Sequence, residues 1–323
     1  MNDNGYRGPH MARKSDGRKR IEQRKADHID ICLRENVRGE QITSGFEKYR
    51  FRHKALPEVD FKQISLSASF LGKTLKAPFV ISSMTGGTER ARLINRTLAA
   101  MAEQRGWAMG LGSIRAALEH EELAGTFQVR DAAPSIPLLA NLGAVQLNYG
   151  FTAEHCLRAL ELVQADGLVL HLNSLQEVFQ PEGNTNFQRL LSKIEELCRR
   201  IPVPVGVKEV GWGIAGDVAS QLHEAGVRFI DVAGAGGTSW SQVEKFRTPD
   251  KVKQEAAKAF ADWGIPTAEC VREVREAVPG ATIIASGGID DGVQAAKAIA
   301  LGADLVGIGR KLLFAAAESK DFH

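Results

Sequence analysis

The sequence predicts an α/β protein, a (β/α)8 TIM barrel with an N-terminal arm, on three observations. A short apolar run followed by a longer amphipathic segment recurs eight times from residue 78 onward. The apolar runs (FVIS, LLAN, LVLHL, VGV, FIDV, IIAS, LVGI) are near-continuous, as strands are when helices cover their outside and side chains fill their inside. Polar and glycine-rich clusters fall directly after these runs, where a barrel of this kind builds its active site. A chain of 323 residues with 44% hydrophobic and 25% charged residues can bury a large core and is not disordered in composition.

The expected division is 1–20 as a disordered basic extension, 21–77 as the arm and lead-in, and 78–323 as the barrel. In the arm, a helix is expected to begin near Asp27, followed by a polar, partly extended stretch containing FRHKALPEVDF. Strands are expected at Phe79–Ser82, Trp107–Gly110, Pro137–Asn141, Gly167–Leu172, Val203–Val207, Phe229–Val232, Thr282–Ser286 and Leu305–Ile308. Helices are expected at 88–105, 116–131, 152–165, 184–199, 215–225, 267–277, 290–301 and 310–317. A doubly wound open sheet is the chief competitor. GLGSIR (110–115) and GAGGTSW (234–240) begin like dinucleotide fingerprints, but neither opens the alternation with an acid about 20 residues on.

The net charge of +2 is unevenly spread. Residues 1–25 hold eight Lys+Arg and three acids, so the other 298 residues carry −3. Such an arm can meet nucleic acid or a membrane surface, but Tyr6 is its one aromatic before residue 46, which leaves base stacking poorly supported. Cys32, Cys156, Cys198 and Cys270 lie too far apart for CxxC metal or redox spacing. No apolar run spans a bilayer, so a cytoplasmic protein without nucleic-acid or membrane partners is expected.

The clusters after the last two strands carry the first chemical signal. Gly287-Gly288 and Gly309-Arg310 put small residues where barrels hold a phosphate with backbone N–H groups and a helix N-terminus. Further glycine turns after strands one and six, with Lys208 inside the ring, fit a flat phosphate-bearing heteroaromatic such as FMN. Lys208 also reads as a Schiff-base lysine. Glu177, among His171, Asn173 and Gln176, is a candidate Mg²⁺ carboxylate.

Taken together, the motifs resemble a known family. Arg24-Lys25-x-x-His28, SSMTGG at 82–87, GSIR at 112–115, HLNxxQE at 171–177, PEG at 181–183, VKEVGWG at 207–213, AGAGGTSW at 233–240 and SGGIDDG at 286–292 occur in the order found in type 2, FMN-dependent isopentenyl-diphosphate isomerases. The resemblance covers residues 22–316 and implies interconversion of isopentenyl and dimethylallyl diphosphate at reduced FMN, with Mg²⁺ and NADPH (or NADH) but no net redox change. It further implies a small-molecule diphosphate substrate and a homo-oligomer, tetramer or octamer. By the same resemblance Arg24, Lys25, Ser113 and Arg115 bind the diphosphate, and His28 lies beside the substrate. Gln176, which also binds substrate by lining the alkene pocket, forms the catalytic set with His171 and Asn173, and Glu177 holds Mg²⁺. FMN is met by Ser83, Met84, Thr85, Gly86, Ser113, Asn141, Lys208 and Thr238, with its phosphate between Gly287-Gly288 and Gly309-Arg310. Two positions depart from the family pattern: Ala233, where Ser is common, and Asp290, where Arg often follows SGGI.

Rival readings each lack a residue or leave one unexplained. The alternative is another FMN-dependent barrel oxidoreductase acting on a small phosphorylated or hydroxy-acid substrate. A 2-hydroxy-acid oxidase would need a His in the sixth loop, which reads VAGAGGTSW, and an inosine-monophosphate-type dehydrogenase would need a loop Cys, whereas Cys270 lies in a helical pattern. A Schiff-base aldolase through Lys208 accounts for neither SSMTGG nor Glu177. A non-catalytic phosphate-binding barrel and an RNA-binding protein using the basic arm are the readings from other classes.

Overall fold

The computed structural model of the chain describes residues 9–318, with side chains from residue 17 onward. The described residues begin with helix α1 (Pro9–Arg34), cross an irregular strap, and form an antiparallel hairpin of β1 (Ala68–Phe70) and β2 (Lys73–Leu75). It continues through β3 (Phe79–Ile81), α2 (Glu89–Arg105), β4 (Ala108–Gly110), α3 (Arg115–Glu119), β5 (Leu138–Gly143), α4 (Ala153–Val163) and β6 (Gly167–His171). Next come α5 (Ser174–Phe179), α6 (Leu190–Arg200), β7 (Val205–Lys208), α7 (Gly216–Glu224), β8 (Phe229–Asp231), α8 (Trp240–Arg247) and α9 (Lys251–Ala259). The last elements among the described residues are α10 (Thr267–Ala277), β9 (Thr282–Ala285), α11 (Gly292–Ala300), β10 (Leu305–Ile308) and α12 (Arg310–Glu318). Strands β3 to β10 pair in parallel in chain order, and β10 returns to β3 with Gly307 opposite Val80, closing the barrel. The expected (β/α)8 barrel is therefore the observed one, because each strand run was apolar enough to be buried on both faces.

Several expectations inside that frame need correction. Helix α1 starts at Pro9 rather than near Asp27, so residues 9–20, expected as disordered extension, are helical; residues 1–8 lie outside the described part. Arg18–Glu22 and Gln23–Asp27 supply i,i+4 contacts along it, and Ile29 and Cys32 bury its inner face. The hairpin β1–β2 was not foreseen, since its turn uses Leu71 and Gly72 at φ 51° and 73° rather than an Asn-Gly pair.

Two expected helices are shorter. The helix expected at 116–131 stops at Glu119 and gives way to a 3-10 segment over Glu121–Thr126. The Thr126 hydroxyl donates to Leu123 O at 2.7 Å and accepts from Gly87 N at 2.8 Å, which holds the chain in a turn. The helix expected at 184–199 starts at Leu190, because Asn148 Nδ2 binds the carbonyls of Asn186 (2.8 Å) and Gln188 (2.9 Å) and keeps that stretch open. Helices α5, α8 and α9 were not expected at all.

The hairpin closes the floor of the barrel. Phe70 and Leu75 join Val80, Leu139, Val169, Phe229 and Ile284 in an inner apolar cluster, with the Phe70 and Phe229 rings edge to face at 5.3 Å. Gly206 makes room for this layer, since a Cβ there would sit 2.1 Å from the Phe229 ring. At the other end α1 packs against α8 and α12 across the barrel mouth.

Candidate functional site

The mouth holds a cavity of about 480 Å³, within the size range of small-molecule and cofactor sites. Strand ends supply Ser82, Asn141, His171, Lys208 and Ser286, and the loops and helix starts beyond them supply the rest. The structure brings Arg24, Lys25, His28, Ser83, Met84, Thr85, Ser113, Arg115, Asn141, His171, Asn173, Gln176, Glu177, Lys208, Thr238, Gly287, Gly288, Gly309 and Arg310 to this one cavity. Gly86 is the exception. It does not line the cavity but packs behind it, where a Cβ would lie 1.9 Å from the Phe127 ring.

One side of the cavity is a glycine cradle. Gly287 and Gly288 have φ of 108° and 68°, and a Cβ on Gly288 would meet Gly236 O at 2.4 Å. Gly309 follows β10 directly and α12 begins at Arg310, so the first N–H groups of that helix have no intrahelical partner and can receive an anion. The Arg310 side chain is used otherwise, its Nε donating to Cys32 O (2.8 Å) and its Nη2 to Glu35 O (2.6 Å), which caps α1. Asp290, where Arg is the residue the resemblance leads one to expect, is held by Nη1 and Nη2 of Arg38 at 2.9 Å each. Arg38 lines the same cavity, so a guanidinium still stands beside the cradle although it comes from the strap. Ala233, the other departure, sits at φ 37°, a strained conformation for a residue with a Cβ.

The polar wall is partly satisfied within itself. His171 Nδ1 lies 2.7 Å from Asn141 Oδ1, so Nδ1 carries the proton and Nε2 is left as an acceptor. Burial, reinforced by Lys208 and Lys25, pushes the imidazole down to about 3, and His171 is neutral at physiological pH. Lys208 donates to Glu209 O at 2.5 Å and is paired in register with Asp231, which accepts from Ser286 Oγ at 2.5 Å. Burial raises the Asp231 carboxyl, against the pull of Lys208. Ser82 Oγ, Thr85 Oγ1 and Asn173 Oδ1 are buried without partners. Orphaned polar atoms beside a glycine cradle fit a cofactor bearing both a phosphate and a polar ring edge, as FMN does.

Opposite the cradle, α1 brings Arg24 and Lys25 over the mouth toward Arg115 at the start of α3. Arg24 lies 3.6 Å from Glu182, and Arg115 donates to Glu119 at 2.7 Å. Burial, with Arg24 and Arg115 nearby, holds the Lys25 ammonium down at about 7. Three basic side chains thus converge on this wall against two carboxylates, Glu182 and Glu119, and a diphosphate would supply further negative charge there.

Between them runs a network that the sequence reading missed. Glu244 on α8 is fully buried and accepts from His28 Nε2 (3.0 Å), Gln176 Nε2 (3.2 Å) and Arg247 Nε (2.8 Å). Burial alone would raise its pKa, but His28 and Arg247 outweigh it and hold the carboxylate at about 2. Burial lowers His28, against the opposing pull of its hydrogen bond to the carboxylate. Trp240 stands edge-on to the His28 ring at 5.0 Å. Asn173 Nδ2 donates to Gln176 Oε1 (3.1 Å) and Glu177 Oε1 (2.9 Å), and Glu177 Oε2 accepts from Asn184 N (2.6 Å). The sequence reading singled out neither Glu244 nor Arg247, since the helix that carries them was not expected. A signal was available in Trp240, four residues before Glu244 on a short helix.

Among the described residues no three His, Cys, Asp or Glu groups cluster as a metal site. Glu177 with the free Asn173 Oδ1 is nonetheless a donor set that fits Mg²⁺, which takes few protein oxygens when a substrate phosphate and waters complete its shell.

The comparisons with known proteins agree with this geometry. The FMN-dependent dehydrogenase family matches residues 17–133 and 148–321. An isopentenyl-diphosphate delta-isomerase of Oceanobacillus iheyensis is 55% identical over 303 residues, covering 94% of this chain and 87% of the relative. The proteins of the same name from Nostoc sp. and Synechococcus sp. are 53% and 52% identical, over 93% of this chain in each case and 85% and 86% of the relative. With a closed barrel, a glycine cradle and a cationic arm meeting at one cavity, the chain belongs to the FMN-dependent dehydrogenase family and, within it, to the isopentenyl-diphosphate delta-isomerases of the FMN-dependent second type.

Proposed function

We propose that the protein interconverts isopentenyl diphosphate and dimethylallyl diphosphate, using FMN, Mg²⁺ and NADPH or NADH without net redox change. The observation that carries this reading is the division of one cavity between a cradle for a phosphorylated cofactor and a triad of cations for a second anion. An oxidoreductase with a single small acid as substrate has no need of Arg24, Lys25 and Arg115 together.

Moving a double bond along an unactivated alkene requires a proton gained at one carbon and lost at another, through a state with cationic character. FMN in its reduced form supplies an electron-rich ring with exchangeable protons. The protein's own groups do the remainder. Arg24, Lys25, Ser113 and Arg115 anchor the diphosphate, and Glu177 with Asn173 Oδ1 would hold Mg²⁺ against it. The Gln176 amide, fixed by Glu244 at one end and Asn173 at the other, presents its remaining N–H and lone pair to the alkene. Neutral His171 offers Nε2 as an acceptor, and the buried Glu244 charge favours developing positive charge nearby. Helix α1, with Ile29 and Cys32 inward, keeps water from the reacting carbons. We further infer a cytoplasmic homo-oligomer; no helix among the described residues is long and apolar enough to cross a membrane.

The test is anaerobic incubation of the purified protein with FMN, NADPH, Mg²⁺ and either C5 diphosphate. Equilibration of the two isomers, dependent on each addition, is the expected result. A chain that retains FMN and leaves both diphosphates unchanged refutes the proposal.

A further inference from the structure

Glu182 takes no part in the chemistry above. It lies in the turn Gln180-Pro181-Glu182-Gly183, which Gly183 N closes on Gln180 O at 3.1 Å, with proline second and glycine fourth as such turns favour. The turn is fastened to α5. A Cβ on Gly183 would meet Glu177 O at 1.7 Å, so glycine alone permits the close approach, and Asn184 N donates to Glu177 Oε2 at 2.6 Å. The backbone of Glu182 is therefore fixed relative to Gln176 and Glu177, and its side chain, about half exposed, is the part that can move.

That side chain stands between two cations. Its Oε1 is 3.6 Å from Arg24 Nη1, and its Oε2 accepts from Arg247 Nη2 at 2.9 Å. The two guanidinium groups are held unequally. Arg247 also donates to Glu244 at 2.8 Å and keeps that partner without Glu182, whereas among the described residues Glu182 is the one carboxylate within 4 Å of Arg24. Arg24 lines the cavity and Glu182 does not, so the pair draws the guanidinium toward the rim. The arm itself is fastened elsewhere, by His28 on Glu244, Arg90 on Asp30 (2.7 Å) and Arg310 on the carbonyls of Cys32 and Glu35. Glu182 thus sets where the Arg24 side chain rests and not whether α1 closes. We propose that Glu182 is a positioning residue that latches Arg24 while the site is empty, and that the diphosphate of the substrate displaces it. Substrate and product carry the same diphosphate, so a tighter grip holds both equally and adds nothing to turnover once the site is full. A carboxylate competing for one of three cations loosens that grip and eases the exchange of one diphosphate for the next. The inference rests on the reading of Arg24 as a diphosphate ligand.

Calorimetric titration of inorganic pyrophosphate into the full FMN-loaded chain, at fixed Mg²⁺, tests it, with FMN occupancy as the check on folding. Glu182→Gln should lower the pyrophosphate Kd about threefold, the scale of a partly exposed ion pair. Glu182→Ala should do the same, since it is the charge that competes. Arg24→Ala should raise the Kd, and adding Glu182→Gln to it should bring little further change, because the cation to be released is gone. In turnover Glu182→Gln should show a lower KM and no gain in kcat. An unchanged or higher Kd in both Glu182 variants overturns the proposal. So does an equal gain in the Arg24→Ala background, which would mean that Glu182 repels the anion directly and not through Arg24. If Arg24→Ala binds pyrophosphate like the wild type, the diphosphate reading of Arg24 falls and the latch with it. If Arg24→Ala weakens binding while neither Glu182 variant tightens it, the latch alone falls.

Discussion

The floor and the mouth of this barrel are built by the same faces of the same strands, two residues apart. Val80, Leu139, Val169, Phe229 and Ile284 fill the floor; Ser82, Asn141, His171, Asp231 and Ser286 stand one step above them on β3, β5, β6, β8 and β9 or directly at their ends. Strand periodicity makes both sets point inward, at levels ~7 Å apart. The lower layer is apolar and closed by Phe70, and the upper is polar and bonds largely within itself before opening into the cavity. One strand face thus serves stability at one level and chemistry at the next, and substitutions at the two levels should separate cleanly.

The largest effect is expected at the floor. Phe229→Ala should cost about 3–5 kcal/mol in denaturant unfolding, because the closed layer cannot collapse around the lost ring. FMN affinity per folded molecule should stay the same, and a selective loss of FMN binding would contradict the separation of layers. At the mouth, Glu177→Gln should leave the unfolding midpoint nearly unchanged and weaken the Mg²⁺ dependence of turnover by at least about 10–100-fold. An unaltered Mg²⁺ titration would remove Glu177 from that role.

Lys25 gives a smaller and pH-dependent effect. Lys25→Ala should raise KM for the diphosphate by about tenfold, near 1.4 kcal/mol, with FMN occupancy intact. Because burial holds this ammonium near 7, the unliganded site loses its charge as pH rises through that value, and substrate affinity should fall in the same direction. Lys25→Arg, charged throughout, should flatten this profile; an identical profile in the variant would show that another group titrates. The smallest effect is at Ala233, above Asp231 at φ 37°. Glycine there should raise stability by up to ~1 kcal/mol by relieving the strain, and a destabilised variant would show that the Cβ contacts matter more.

The barrel and most cavity residues were legible in the chain because each βα unit is a local pattern and each loop follows its own strand. That Gly86 stands off the cavity lining was not legible, because its glycine identity answers to Phe127, a packing partner 41 positions away. The hairpin escaped notice because Leu71 occupies a turn position at which a side chain is disfavoured. Glu244 escaped because a carboxylate beside an Arg on a short helix looks solvated until α1 folds across it and supplies His28.

Asp290 shows the boundary most plainly. Read along the chain, it replaces an expected cation with an anion at the phosphate cradle. In the folded protein Arg38, from the opposite end of the sequence, grips it with Nη1 and Nη2 and returns a guanidinium to the cavity. Alternating apolar and amphipathic runs suffice to specify a closed barrel and where its polar loops gather, since those forces act over a few residues. The ionisation of Lys25, His171 and Glu244 and the partner of Asp290 follow from burial and from contacts between distant segments, which exist only once the arm has closed over the mouth.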